Sequence, residues 1–395
     1  MIELPIYFDN HSTTRVDPRV LEAMLPCFSQ AYGNAGSAHA FGHEAKAAVD
    51  DARARIASAI GATPREIVFT SGATESNNLA IRGIASRHCE RGRHIVSVVT
   101  EHPSVLDPLE ALGREGYEIT LLGVTRQPHP RAGIVDVGQV AEALRDDTIL
   151  VSVMLANNEI GAINPLQEIG AICRERGVPL HSDATQAVGK LEVDVESLQV
   201  DLLSFTAHKI YGPKGVGALF VRRKRPAVRL DAMLFGGGQE SGLRSGTLNV
   251  PGIVGFAKAL DLCGEETGAE RERLRQLRDR LWQGIRAQID GVEVNGPSLD
   301  APELRLPGNL NVGFAGVDAG SLLLNLQEVA VSSGSACSSA SPEPSHVLRA
   351  LGLGDDLVRG SIRFGLGRFN TEEEADYVVD RLRDEVGRLR ALGSG

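Results

Sequence analysis

The sequence predicts an α/β protein, a mostly parallel sheet covered by helices with a smaller α/β unit appended. Three observations predict it. Short β-rich runs alternate with longer helical patterns up to about Gly255. Those runs are apolar on both faces, as strands covered on both sides of a sheet are. Beyond Gly255 the texture changes to charge-rich helical spacing. The 395 residues are 42% hydrophobic and 23% charged, an ordinary globular composition with material for a large core.

In order along the chain, IVFT (67–70) reads as a strand feeding a helix from Thr74 to about His88. HIVSVVT (94–100) precedes the helical PSVLDPLEALGREG. ILVSVML (149–155) and VPLHSDA (178–184) flank the helix LQEIGAICRERG, and VDLLSFTAH (200–208) leads through a glycine-rich turn into GVGALFV (215–221). In GAERERLRQLRDRLWQGIRAQI, Leu274, Leu277, Leu281, Ile285 and Ile289 recur at helical spacing, and the charge between them reads as a solvated face. LPGNLNVGF, SLLLNLQ and VAVSSG continue the smaller unit. TEEEADYVVDRLRDEVGRLRAL closes it as a helix with Thr371 as cap and acidic residues in the first turn.

A net charge of −10 argues against a general nucleic-acid surface. The basic cluster Arg222-Arg223-Lys224-Arg225 follows a strand and reads as a solvated turn. Cysteines at 27, 89, 173, 263 and 337 form no close pair, so neither a disulfide framework nor a CxxC zinc site is expected, and a reducing cytoplasm fits. His39 and His43 could share a helical face, but no ligand cluster accompanies them and no metal is expected. No apolar run reaches membrane-spanning length, and the start MIELPIYFDN lacks a basic region followed by an apolar one, so no membrane partner is expected.

Five polar clusters, SGATESNN, EHPSV, NNEIG, SDATQ and AHKIYGPKG, fall where strands end, the place where open α/β sheets bind ligands. Ser71-Gly72-Ala73-Thr74 at a helix start makes a phosphate cradle, although a plain helix cap looks similar. Six lysines stand against 35 arginines. A lysine kept in so arginine-biased a chain can serve as an amine nucleophile, which arginine cannot. Lys209, just past an apolar strand, fits that role, whereas Lys214 fits an exposed loop charge. Asp183 at a strand end could pair with a pyridinium nitrogen, and His102 could lie against a flat heterocycle. Singly, a capping aspartate and a loop histidine remain open. Together the four point to pyridoxal 5'-phosphate. Cys337 sits in SSGSACSS (332–339), a run that packs poorly and places the thiol for access and movement, unless it is a surface linker with an incidental cysteine.

The combination YFDN, YGNAGSAHAFG, TSGATESNN, TEHPSVL, NNEIG, DATQAVGK, SFTAHKIYGPKG, RSGTLNVPG, SSGSAC and SIRFGLGRF resembles the group I cysteine desulfurases, fold-type I pyridoxal-phosphate enzymes of the class V aminotransferase-like family. The resemblance runs through nearly the whole chain. It implies a large cofactor-binding domain (15–255) with a mostly parallel seven-stranded sheet. It also implies a small domain (1–14 and 256–395) carrying a catalytic loop at about 330–343. By the same resemblance Lys209 forms the internal aldimine; Ala73, Thr74, Thr206 and His208 hold the phosphate; Asp183 pairs with the pyridine nitrogen; and Asn158 and Gln186 contact the phenolic oxygen. His102 stacks on the ring and assists proton transfer, Thr247 reaches the phosphate of the neighbouring subunit in a homodimer, and Arg363 with Asn34 binds the substrate carboxylate. Cys337 attacks the sulfur of L-cysteine, leaving a persulfide and L-alanine. The sulfur then passes to an acceptor protein, for iron–sulfur cluster assembly or other thio-cofactor or thionucleoside synthesis.

Two departures, Arg15 and Ala35 where the family usually has proline, fall in turns and are expected to affect the chemistry little. The chain ends at Ala391-Leu392-Gly393-Ser394-Gly395, where relatives serving general iron–sulfur assembly often carry a scaffold-docking tail. A nitrogenase-type, tRNA-thiolation or DNA-modification acceptor therefore stays open. Alternative activities are a selenocysteine lyase, another fold-type I enzyme such as an aminotransferase, which has no need of Cys337, or a binding protein that keeps the fold without transferring sulfur.

Overall fold

The computed structural model describes residues 2–224, 227–333 and 344–393; Cys337, most of its loop, and Arg225 lie outside the described residues. A short strand β1 (Ile6–Tyr7) is followed by helices α1 (Pro18–Met24), α2 (Pro26–Ser29) and α3 (Ala40–Ser58). Then strands and helices alternate: β2 (Ile67–Thr70), α4 (Ala73–His88), β3 (His94–Val98), α5 (Pro103–Arg114), β4 (Glu118–Leu122), α6 (Val137–Ala143), β5 (Thr148–Ser152), α7 (Leu166–Arg176) and β6 (Leu180–Asp183). β7 (Leu202–Thr206) and β8 (Gly217–Val221) complete a seven-stranded sheet in the order β2-β8-β7-β6-β5-β3-β4. β4, β3, β5, β6 and β7 pair in parallel, and β8 runs antiparallel to both β7 and β2. The strand reading above omitted Glu118–Leu122. That strand lies at the sheet edge and is mostly half-exposed, so it lacks the doubly apolar pattern of its neighbours.

Alternate strand residues feed two cores, as a period of two requires. Phe69, Val96, Val151 and Phe205 pack with α1, α3, α7 and the helix after β8. Val68, Ile95, Leu150 and Leu202 pack on the other face against Leu79 and Ile84 of α4 and Val105 and Leu109 of α5. That later helix, α8 (Val250–Gln288), begins well before the charge-rich stretch recognised in the sequence. The Asn249 side chain accepts from Gly252 N–H at 3.0 Å and starts it. Its first half joins the sheet core through Ile253, Phe256 and Leu260, and its second half buries Leu274, Leu277, Leu281 and Ile285 in a separate cluster. Gly255 permits the close crossing with α1: a Cβ there would stand 2.5 Å from Met24 Sδ.

The second cluster is built on an antiparallel sheet of β9 (Val292–Val294), β10 (Asn309–Phe314) and a later strand, β12 (Ser361–Gly365). Between them come α9 (Ala319–Asn325), β11 (Val329–Ala330), α10 (His346–Ala350) and α11 (Asp355–Arg359), and α12 (Glu372–Gly393) closes the chain. Thr371 does cap α12: its hydroxyl accepts from Glu374 N–H at 3.3 Å, and the Glu374 carboxylate accepts from Thr371 N–H at 3.1 Å. β1 pairs in parallel with β11, which holds the residues after it, Asp9 to Thr14, beside the large sheet.

Two charge readings need correction. Arg222 is not a solvated turn residue: it is 2% exposed, paired with Glu196 and Asp201, and donates to the carbonyls of Val195 and Val200. Arg278, within the charge run of α8, is fully buried and donates to Asp279. A guanidinium on a long apolar stem can be drawn inward by carbonyls and carboxylates that sequence spacing does not reveal.

Candidate active site

Five strand ends converge on one cleft of about 440 Å3, lined from Ser71–Glu75 after β2, His102 after β3, Asn158 after β5, Asp183, Thr185 and Gln186 at the end of β6 and His208–Lys209 after β7. Its far wall comes from His11, Ser12 and Thr13 and from Arg363 on β12. Such a volume suits a small ligand or cofactor.

Lys209 closes a single helical turn directly after β7, where the strand's apolar residues fix it against the sheet. It is 9% exposed, and its Nζ donates to the carbonyls of His11 and Ser12 at 2.6 and 2.5 Å. Asp183, the last residue of β6, accepts from Thr185 N–H at 2.9 Å and from Asn77 Nδ2 at 2.7 Å. The Asn77 amide also donates to Ser104 Oγ at 2.9 Å, which lies 2.8 Å from His102 Nδ1. A polar chain therefore links Asp183 to His102. Ser104 N–H also donates to His102 Nδ1 at 3.1 Å, so a neutral ring carries its proton on Nε2. Beside it, Glu101 is fully buried and accepts from Met154 N–H. Burial, then the charge of Asp183, pushes its carboxyl well above the usual range.

The α4 N-terminus supplies the anion cradle: Gly72, which caps the 16-residue helix, and its first residues Ala73 and Thr74 line the cleft. β8 passes directly beneath. A Cβ on Gly217 would lie 2.7 Å from Gly72 Cα, so only glycine allows this approach. Thr206 sits below the cradle with its hydroxyl donating to Val216 carbonyl at 2.9 Å. His208 lines the cleft with Nδ1 3.1 Å from Thr13 Oγ1. Burial, followed by the charges of Lys209, Lys214 and Lys190, pulls its pKa down to about 4, so it meets an anion as a neutral hydrogen-bonding ring at pH 7.

Arg363 is 1% exposed, donating to Asp9 at 2.8 Å, Ser12 Oγ at 2.6 Å and the Asn158 carbonyl at 3.0 Å, while its Nε has no partner among the described residues. A buried guanidinium that lines a cleft is suited to a carboxylate. Gln186 donates from Nε2 to His11 carbonyl at 2.8 Å and accepts at Oε1 from Lys190 Nζ at 2.7 Å. The described residues on either side of the Cys337 segment are tied close by. Ser332 bridges to Arg363 and lies 3.0 Å from Asp9; Ser345 donates to Glu159 at 2.6 Å and His346 Nε2 lies 2.9 Å from Glu101 carbonyl.

The structure thus brings Ala73, Thr74, His102, Asn158, Asp183, Gln186, His208, Lys209 and Arg363 to one cleft, with Thr206 beneath it. It does not bring Asn34 or Thr247 there; both line a separate pocket with Arg53 and Glu240. Sequence reasoning passed over Asp9, His11, Ser12, Asn77, Ser104 and Lys190. Lys190 carried the same signal as Lys209, scarcity of lysine, while the others are ordinary polar residues until the fold gathers them. His39, weighed as a metal ligand, instead caps α3, its Nδ1 accepting from Gly42 N–H at 3.2 Å.

An amine, an acceptor carboxylate, an anion cradle and a flat ring around one cleft fit pyridoxal phosphate. Lys209 would hold it covalently, Asp183 would take its ring N–H, and Ala73, Thr74 and His208 would take its phosphate. Residues 6–378 match the family described as Aminotransferase class-V. The chain is 55% identical over 392 residues to the cysteine desulfurase IscS of Anaeromyxobacter dehalogenans, covering 99% of this chain and 95% of that one. It is 54% identical over 394 residues to the cysteine desulfurase IscS of Escherichia coli O139:H28, with the same coverage. Among solved structures, a NifS-like protein superposes with a TM-score of 0.89 at 36% identity, covering 98% of this chain and all of that one. SspA in complex with cysteine gives 0.80 at 35% identity, covering 93% and 100%.

Proposed function

The chain belongs to the class-V aminotransferase family, among its cysteine desulfurases, and we propose that this cleft takes L-cysteine to L-alanine while the sulfur passes to Cys337. The observation that carries the proposal is the placement of Lys209, Asp183 and the α4 cradle around one cleft whose opposite wall offers the buried Arg363. Pyridoxal phosphate is the cofactor; when bound it withdraws electrons from the substrate's α-carbon.

This chain's residues do the rest. Arg363 binds the substrate carboxylate and so turns the amino group toward Lys209. Lys209 would move the α-proton at its Nζ. His102, held by Ser104 through Nδ1, presents its other nitrogen for proton transfer. Cys337 thiolate attacks the substrate sulfur: an S–S bond forms, the Cβ–S bond breaks, and a proton completes alanine. No external oxidant is required, because the electron pair of the broken Cβ–S bond stays with the carbon, which is reduced as the two sulfurs are oxidised. The residue itself lies outside the described residues, and the attachment of Ser332 and Ser345 at the cleft supports its assignment as nucleophile.

The persulfide sulfur serves an acceptor protein, and iron–sulfur cluster assembly is the use favoured by the likeness to IscS proteins. We also propose a homodimer in the cytoplasm, in which Thr247 reaches the partner's phosphate site. Its place in a pocket separate from the Lys209 cleft supports this. Among the described residues no helix is long and apolar enough to cross a membrane. We also propose a large domain at 15–255 and a small one from 1–14 and 256–395; the hydrophobic cluster that joins Ile6 and Phe8 to Leu274–Ile285, β10 and β12 supports the small one, although the first half of α8 packs on the large sheet.

The test is alanine formation from L-cysteine with a thiol reductant, comparing wild type with Cys337→Ala. Alanine from the wild type alone supports sulfur transfer through Cys337. Equal alanine from both refutes it.

A further inference from the structure

Behind the cleft lies a lysine that the reaction above does not use. Lys190 sits in the turn after β6, where Lys190 N–H donates to Ala187 carbonyl at 2.9 Å and Arg271 Nε donates to the Lys190 carbonyl at 2.6 Å. Its side chain lines an inner cavity of about 30 Å3, room for about one water, together with His11, Glu270 and Arg271. Its Nζ points at the back of Gln186, 2.7 Å from Oε1.

An ammonium only donates hydrogen bonds, so the Gln186 oxygen must face it and the amide nitrogen must face away. On that side Gln186 Nε2 spends one hydrogen on His11 carbonyl and has a second for the cleft that Gln186 lines. Reversing the amide would set oxygen against the His11 carbonyl and N–H against the ammonium. Resting on the cofactor reading above, we propose that Lys190 is a positioning residue: it holds Gln186 as a hydrogen-bond donor toward the cofactor's phenolic oxygen and so stabilises that oxygen in its ionised form.

The groups around Lys190 are Lys209, Arg363 and His11 from the cleft side, Tyr211 from the turn after β7, and Glu270, Arg271 and Cys263 from α8. Burial, then the charge of Lys209, brings its pKa down to about 7, while Cys263 and Glu270 act to raise it. Binding of an anionic cofactor and conversion of Lys209 to a covalent linkage both favour the charged ammonium. The lock is therefore strongest in the loaded enzyme.

The experiment is a titration of the visible absorption of lysine-bound cofactor in the holoenzyme, in wild type, Lys190→Met, Gln186→Leu and the double variant. Losing one hydrogen bond to a charged oxygen is expected to move the Lys190→Met midpoint upward by about one pH unit. Added to Gln186→Leu, the same substitution is expected to move it by less than half as much, because Lys190 acts through Gln186. An unmoved midpoint, or an equal shift in both backgrounds, overturns the proposal. If Lys190→Met fails to fold, Lys190→Arg, which keeps only donors, is expected to hold the midpoint within about 0.3 units of wild type, and a full-sized shift overturns the proposal. Absence of any lysine-bound absorption in the wild type would refute the cofactor reading itself, a result distinct from failure of Lys190.

Discussion

Replacing Arg363 by lysine isolates what its fork contributes. The guanidinium serves Asp9, Ser12 and the Asn158 carbonyl at 2.6 to 3.0 Å and must still meet the substrate carboxylate. A lysine ammonium at this buried position keeps a charge for Asp9, so the fold is spared the roughly 3–5 kcal/mol that an unpaired buried charge costs. One ammonium cannot also reproduce a planar, two-point grip on a carboxylate. Losing a single charge-assisted hydrogen bond to substrate, worth about 1.5–3 kcal/mol, lowers kcat/KM by about 10- to 150-fold. The loss should appear mainly in KM, because the carboxylate is held alike before and during reaction. Initial rates of alanine formation across a range of L-cysteine concentrations separate the two parameters, with a denaturant curve as the control for folding. A kcat/KM within about threefold of wild type, or a loss confined to kcat, would refute Arg363 as the carboxylate anchor.

Three further predictions follow from other parts of the molecule. Gly217→Ala forces a methyl against Gly72 Cα, so the protein should lose about 1–3 kcal/mol of stability and retain cofactor poorly on dialysis. Glu240→Ala strips Arg53 of its carboxylate partner and leaves Phe69 N–H without its 2.7 Å acceptor. Unfolding in urea should show a loss of about 3–5 kcal/mol. His181, buried between Ser152 and Ser204, has its pKa pulled down to about 4 by burial, against the opposing charge of Asp183. The unfolded chain therefore binds more protons between pH 6.5 and 4, and stability falls as pH drops through that window. His181→Gln should flatten the decline of unfolding free energy with falling pH by up to about 1.4 kcal/mol per pH unit; an unchanged slope would exclude His181 as its source.

By itself the sequence determined the layered α/β class, because doubly apolar runs between helical patterns have few stable arrangements. It also marked the five strand-end clusters, Lys209 by the scarcity of lysine, and the small polar run around Cys337, since these signals are local and chemical. Edge strand Glu118–Leu122 escaped because one open side weakens its pattern, and the start of α8 escaped because its first half is read against a core, not against its own charge. Only the tertiary structure decided that His11 and Ser12 wall the cleft while Asp9 holds Arg363 behind it. A parallel pair between β1 and β11 carries them there across more than three hundred residues, and no spacing rule spans that distance. It likewise decided that Asn77 and Ser104 join Asp183 to His102, that Lys190 turns Gln186, and that Arg222 and Arg278 lie inside. Partners of a polar group are chosen by the fold, since a buried donor must find an acceptor wherever packing places one.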